Sequence, residues 1–302
     1  MSKLPTTKQL RYFVTLEQYK HFGKAAKACF VSQPAFSAAI RELESTLNVQ
    51  LVDRTNKNVT ITSIGKDITV QARLVLRDLE DLIDIARENQ EPLSGQLKLG
   101  IIPTIAPFLL PKILPKLRKT YPDLRLYLHE DITNRVYERL MEGDLDVILI
   151  ALPYDLRSVE NMSLYKDPFF LACRKDTGLV DPEHYAIEHL PAESILLLED
   201  GHCLRDHALA ACKIRNLNKV SHVTASSLLT LIQMVDADLG ITFLPGMAQD
   251  SAMLKNTQIK IYPMRAGSYR EIGLVWRKGS MRADEFKLLG EFIKKHRVSN
   301  NA

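Results

Sequence analysis

At 302 residues, with 46% hydrophobic and 25% charged side chains, the chain is long enough for two or three domains with cores of their own, and no apolar run approaches a membrane span. Four cysteines do not make a secreted disulfide framework, and Met1–Thr7 has no apolar leader, so the expected compartment is a reducing cytoplasm. The net charge of +4 is uneven: residues 1–66 hold ten Lys/Arg against four Asp/Glu, residues 67–94 three against seven, so a basic head is the part expected to meet a polyanion.

Residues 6–19, with Leu10, Phe13, Val14 and Leu16, have the spacing of a first helix. Gly23–Phe30 is short and rich in small residues, so another helix can cross it closely. Ser32 is a good N-cap for the next helix, and Pro34 is tolerated in its first turn. Phe36, Ile40, Leu43 and Leu47 form the core stripe of that helix, while Gln33, Ser37 and Arg41 step along the neighbouring face. Two short helices joined by a tight turn make a helix-turn-helix, and Gln, Ser and Arg at these positions can hydrogen-bond to base edges. A merely solvated face would show the same spacing. Leu51–Thr62 reads as a β-hairpin wing, with Arg54 and Lys57 placed for phosphates or the minor groove.

From Thr62 to about Asn89 a long helix carries Ile68, Ala72, Val75, Leu79, Leu82 and Ala86 in a heptad seam. Nothing adjacent in sequence offers that seam a partner. The expectation is a two-helix dimer that presents paired heads to a dyad-related DNA site. After a hinge at Glu91–Gly95, strands and helices alternate to the end of the chain. Strands are expected at Gln96–Ile102, Leu124–His129, Asp146–Ile150, Phe169–Cys173, Ile195–Leu198, Val220–Ala225, Gly240–Leu244 and Ile272–Trp276, in a mainly parallel sheet.

Within this region Leu198–Cys212 holds two of the four cysteines. Asp200-Gly201 reads as a turn into a helix, with Cys203 in its first turn. There the free N–H groups and the helix dipole favour a thiolate, as would Arg205 and a protonated His202 or His207. An unbroken helix to Cys212 would hold the two Cα atoms roughly 13 Å apart. A disulfide tolerates about 7 Å, so the pair cannot close without melting that helix. C-x8-C is not a metal spacing, and neither metal nor cofactor is expected. Taken by spacing alone, two buried structural thiols fit as well. Cys29 and Cys173 are expected to be buried and inert.

The run K-A-A-K-A-C-F-V-S-Q-P-A-F-S-A-A-I-R-E-L-E, followed six residues later by L-V-D-R-T, closely resembles the N-terminal signature of LysR-type transcriptional regulators. G-H-C-L-R-D-H-A-L-A-A-C, preceded by L-L-L-E-D, resembles the peroxide-sensing segment of their OxyR branch, and the resemblance covers nearly the whole chain. It implies an α+β multidomain protein: a winged helix-turn-helix (1–62), a dimerising linker helix and hinge (63–94), and a two-lobed α/β effector domain like type 2 periplasmic binding proteins (95–302). Lobe I would be about 95–162 with 268–302, and lobe II about 163–267.

By the same resemblance Cys203 is the peroxide-reactive thiol and Cys212 resolves it, with Thr104, Thr133, His202 and Arg270 around the peroxide. Thr104 and Thr133 also stand at candidate helix N-caps. Ser32, Gln33, Pro34, Ser37, Arg41, Arg54 and Lys57 are the implied DNA-binding residues. The implied partners are double-stranded DNA, a homodimer or homotetramer, RNA polymerase, and hydrogen peroxide as signal, and the implied function is activation of oxidative-stress genes rather than enzymatic turnover. His207 and Met234–Leu239 depart from the family pattern. A second reading is a LysR-type regulator that binds a small metabolite between its lobes, both cysteines being structural. A thiol peroxidase, the third, leaves the head and the heptad helix unexplained.

Overall fold

The computed structural model describes residues 4–54, 59–86, 92–182, 184–212, 214, 216–264 and 268–297. These fall into two compact units, Met1–Gln90 and the bulk of Glu91–Ala302.

The first unit opens with α1 (Thr7–Tyr19), started by a capping box. The Thr6 hydroxyl accepts from Gln9 N–H at 3.2 Å, and the Gln9 side chain accepts from Thr6 N–H at 2.8 Å. The second helix, α2 (Phe22–Ala28), is capped by His21, whose Nδ1 accepts from the N–H groups of Gly23 and Lys24. Ser32 caps α3 (Gln33–Leu47), accepting from Ala35 N–H at 3.4 Å, with Pro34 in the first turn. Phe13, Leu16, Phe36, Ile40 and Leu43 are fully buried, and Tyr12 stacks on Phe36 with ring centroids 4.9 Å apart. Burying each such side chain contributes about 1.5–3 kcal/mol.

The strands β1 (Val52–Arg54) and β2 (Val59–Ile61) pair antiparallel as the wing. Glu44 fixes its base, Oε1 accepting from Leu51 N–H at 2.9 Å and Val52 N–H at 3.1 Å. Then α4 (Ser63–Ala86) runs for 24 residues. Here the structure corrects the expectation that the seam lacks a partner. Ile68 packs on the head's own core and Ala72 is buried, because α4 lies against α1. Val75, Leu79 and Leu82 are the part of the seam left open, at 38%, 36% and 60% exposure. The Ala86 side chain lies outside the described residues.

The second unit begins with β3 (Gly95–Ile101), α5 (Ala106–Thr120), β4 (Leu124–Glu130), α6 (Thr133–Met141) and β5 (Val147–Leu152), with β3 parallel to both β4 and β5. A 16-residue strand, β6 (Val159–Arg174), leads away from them. Beyond it lie β7 (Ile195–Leu198), α7 (Cys203–Ala211), β8 (Val220–Ala225), α8 (Leu228–Asp236) and β9 (Thr242–Pro245). The chain returns through β10 (Ile259–Pro263), β11 (Tyr269–Arg277) and α9 (Ala283–His296).

Two separate apolar cores result. One gathers Leu97, Leu99, Leu149, Ile272, Trp276 and Phe286, the other Phe169, Leu171, Leu197, Ile232 and Phe243. The two cores make this a two-lobed α/β unit.

The seven-stranded sheet, in the order β10-β6-β11-β5-β3-β4 with β9 also on β6, is not mainly parallel. Within it β11 is antiparallel to β5 and β6, and β6 is antiparallel to β9 and β10. The reason is topological. The chain leaves the first core along β6 and comes back along β11, and two opposite crossings laid side by side must pair antiparallel. Gly240 permits a tight approach behind β7, since a Cβ there would stand 2.7 Å from the Ser194 carbonyl oxygen. The expected strand at this point starts two residues later, at Thr242.

Candidate redox site and DNA-reading face

In the head, the packing of Phe36, Ile40 and Leu43 turns the opposite side of α3 outward. Gln33 and Arg41 are exposed and Ser37 is half-buried. Exposed Ser32 and Pro34 fix where that face begins. The three side chains thus step along one helix face, as needed to read base edges in a major groove. The backbone of Arg54 belongs to β1, whereas its side chain and all of Lys57 lie outside the described residues. Sequence reasoning did not single out His21 or Glu44, which shape the head through local capping and an acceptor seven residues away.

The nine-residue α7 begins at Cys203 and runs unbroken to Ala211, with Cys212 as its C-cap. Gly201 makes the turn before it at φ +97°, a backbone conformation that suits glycine. Both thiols are reduced and buried. Cys203 packs into the first core, while Leu204, Ala208 and Cys212 pack into the second. One short helix therefore spans both lobes with a thiol at each end. At 1.5 Å rise per residue the thiols' backbones are about 13 Å apart, beyond any disulfide.

Around Cys203 the structure brings together residues far apart in sequence. The Arg270 side chain is wholly buried. Its Nη1 donates to Thr104 Oγ1 at 2.9 Å and its Nη2 to the Thr104 carbonyl at 2.8 Å. Its Nε donates to Asp167 Oδ2 at 3.0 Å. The second carboxylate oxygen, Asp167 Oδ1, accepts from Met247 N–H at 3.0 Å. Arg270 and Asp167 are directly opposed in the β11–β6 register, so the pair is built into the crossing itself. Removing one partner of such a buried pair leaves a charge uncompensated, at about 3–5 kcal/mol.

Thr133 is also buried. Its hydroxyl makes no hydrogen bond of ordinary geometry among the described residues, yet it lies beside the Cys203 sulfur, where it favours the thiolate.

The electrostatics correct an expectation. Cys203 is not a depressed thiol in this state: burial pushes its pKa up, opposed by the Thr133 hydroxyl, the Arg270 charge and the Ala151 backbone N–H. Its helix end is sealed into the apolar first core, so desolvation outweighs the helix dipole. Arg205 is paired with Asp200 at 3.0 Å. His207 does not supply a cation either, because burial lowers its pKa. His202 is buried at the N-cap and makes no side-chain cap bond. Cys212, with burial as its one influence, is pushed up to about 12, and its Sγ contacts Met264 Sδ at 3.6 Å.

Capping explains neither threonine. Ile105 is the N-cap of α5 without a side-chain bond, and Thr133 is already the first residue of α6. Cys173 is buried as expected and pushed up to about 11 by burial, but Cys29 is only half-buried. Asp167, Met247 and the Ala151 N–H escaped the sequence reading. Asp167 meets the site through its register opposite Arg270, and the other two through contacts distant in sequence, none of which a local motif reports. No helix among the described residues is long and apolar enough to cross a membrane.

A helix-turn-helix head together with a two-lobed α/β unit defines the class of DNA-binding transcriptional regulators. Residues 7–66 match the family described as bacterial regulatory helix-turn-helix protein, lysR family, and residues 90–297 match the LysR substrate binding domain. The chain belongs to the LysR family of DNA-binding transcriptional regulators.

Among its relatives, the HTH-type transcriptional regulator EstR of Acinetobacter baylyi is 40% identical over 297 residues, 98% of either chain. The DNA-binding transcriptional dual regulator OxyR of Escherichia coli is 38% identical over 287 residues, 95% of this chain and 94% of its own. A solved full-length OxyR variant from Pseudomonas aeruginosa superposes with a TM-score of 0.81 at 34% identity, covering 97% of this chain and 95% of that one.

Proposed function

We propose that this LysR-type regulator senses hydrogen peroxide through Cys203 and Cys212 and changes its contacts with DNA in response. The observation that carries the reading is a short helix with one buried thiol in each core, the first of them beside Thr104, Thr133 and Arg270. The two thiols are not equivalent. Burial alone acts on Cys212, whereas three groups at Cys203 favour a thiolate, which supports attack by Cys203 and resolution by Cys212.

The Cys203 thiolate attacks one peroxide oxygen as the O–O bond breaks, giving sulfenic acid and a hydroxide that takes up the proton released by the thiol and leaves as water. Cys212 then attacks the sulfenic sulfur and expels a second water to give the disulfide. Closure melts α7 and withdraws Cys203 from the first core, so the lobes repack. In a dimer formed through the open part of the α4 seam, that repacking resets the spacing of the heads on a dyad-related site and with it the recruitment of RNA polymerase. Assembly to a tetramer belongs to the same reading.

EstR is described only as a transcriptional regulator, so a regulator that binds a small metabolite between its lobes is the reading to test against. Against it, Arg270, Asp167 and Thr104 already satisfy one another where the two lobes meet. The deciding experiment is footprinting of promoter DNA with the wild type and with Cys203→Ser, each before and after peroxide. A footprint that changes in the wild type alone is expected. A wild-type footprint indifferent to peroxide would return the metabolite reading.

A further inference from the structure

His207 lies one helical turn beyond Cys203, and residues at i and i+4 share a face with Cβ atoms about 6 Å apart. The same strand end holds both. The Ala151 N–H stands beside the Cys203 sulfur, and the carbonyl oxygen of Pro153 is 2.9 Å from His207 Nε2. A carbonyl only accepts, so Nε2 carries the hydrogen and the proton-free nitrogen of the neutral ring is Nδ1. Among the described residues that Nδ1 is buried without a partner. Buried atoms of this kind are rare in folded proteins and mark places where a small polar molecule or a proton is handled.

We propose that His207 is the proton acceptor for Cys203 during its oxidation. The inference rests on the peroxide reading above. Because burial holds the thiol protonated, attack needs a base inside the same enclosure. His207 Nδ1 takes the thiol proton, directly or through one bridging molecule, as the sulfur attacks the near oxygen of hydrogen peroxide. The S–O bond forms as the O–O bond breaks. The leaving hydroxide then takes the proton back from the imidazolium and departs as water, so thiol plus peroxide gives sulfenic acid plus water with nothing left over.

The charged and titratable groups acting on the ring are Arg270 from β11, which disfavours the imidazolium, and Asp206 from its own helix, which favours it. Cys203 shares that helix face, and Tyr154 follows the carbonyl that His207 bonds. Burial foremost, with Arg270 behind it, lowers the pKa of the ring against the Pro153 hydrogen bond and Asp206, which favours the neutral form that can accept.

The test is the rate of sulfenic acid trapping at Cys203 in the full chain carrying Cys212→Ser, followed from pH 5 to pH 9, with His207 and with His207→Gln. Glutamine keeps an N–H for the Pro153 carbonyl but is no base. Removing a general base of this kind slows oxidation roughly tenfold to a hundredfold at pH 7. The rate with His207 should also fall as acid protonates the ring, below its ordinary pKa, and that inflection should vanish in the glutamine variant. Equal rates and equal profiles would overturn the proposal. If the glutamine variant fails to fold, a wild-type profile without an inflection on the acid side does so alone. Failure of Cys203 to form sulfenic acid in any form would instead remove the peroxide reading beneath it.

Discussion

Asp167 shows how much of the proposed redox site is held through Arg270 by a residue on another strand. Its carboxylate is 3% exposed, bonds the wholly buried Arg270 guanidinium and takes a second bond from Met247. Arg270 in turn is one of the groups that counter the burial of Cys203. Asp167→Asn conserves shape and removes the charge, leaving Arg270 a buried cation without a carboxylate and one amide oxygen unable to accept from both Arg270 Nε and Met247 N–H. The expected result is a loss of about 3 kcal/mol or more in urea unfolding, together with slower peroxide oxidation of Cys203. An unchanged midpoint would show that the pair contributes nothing to the fold.

At the level of the element, α7 is the part that the proposed disulfide would have to melt. Its nine residues are joined end to end by helical hydrogen bonds and anchored at both ends, by the Cys203 packing at one and by the Ser268 hydroxyl donating to the Ala211 carbonyl at 3.1 Å at the other. Hydrogen exchange should therefore find the amides of residues 207–212 protected in the reduced protein. They should lose that protection on oxidation, and keep it in Cys212→Ser under the same peroxide. Protection retained across oxidation would mean that the thiols react without the helix melting. Elements of this kind were legible in advance because their signals are local. Ser32, Pro34 and the Phe36–Ile40–Leu43 stripe announce α3, and Asp200-Gly201 announces α7. The first half of β6 was not legible, since Lys166-Asp167-Pro168 reads as a break in a strand; pairing with β11 holds it extended. Cys203, Thr104 and Arg270 came from family resemblance. Asp167 came from neither source, being placed by register 103 residues away. His207 was read from the sequence as a cation beside Cys203, but its carbonyl partner 54 residues away was not legible.

Over the whole molecule, a helix-turn-helix head carries a helix with an open apolar strip, and the second unit has two cores that α7 joins with a thiol at each end. Leu82, at 60% exposure, is the most open position of that strip, and a charge there opposes burial against a second copy. Leu82→Glu should lower the molar mass in light scattering toward that of one chain while leaving the helical signal intact. A variant of unchanged mass would show that assembly does not depend on this strip. The central claim, a peroxide-driven link between the two cores, is tested most directly by a non-reducing peptide map of the full chain before and after a brief, near-stoichiometric pulse of hydrogen peroxide. A Cys203–Cys212 linkage that appears in the wild type and is absent from Cys203→Ser is the expected result. Both thiols recovered free after the pulse would contradict it.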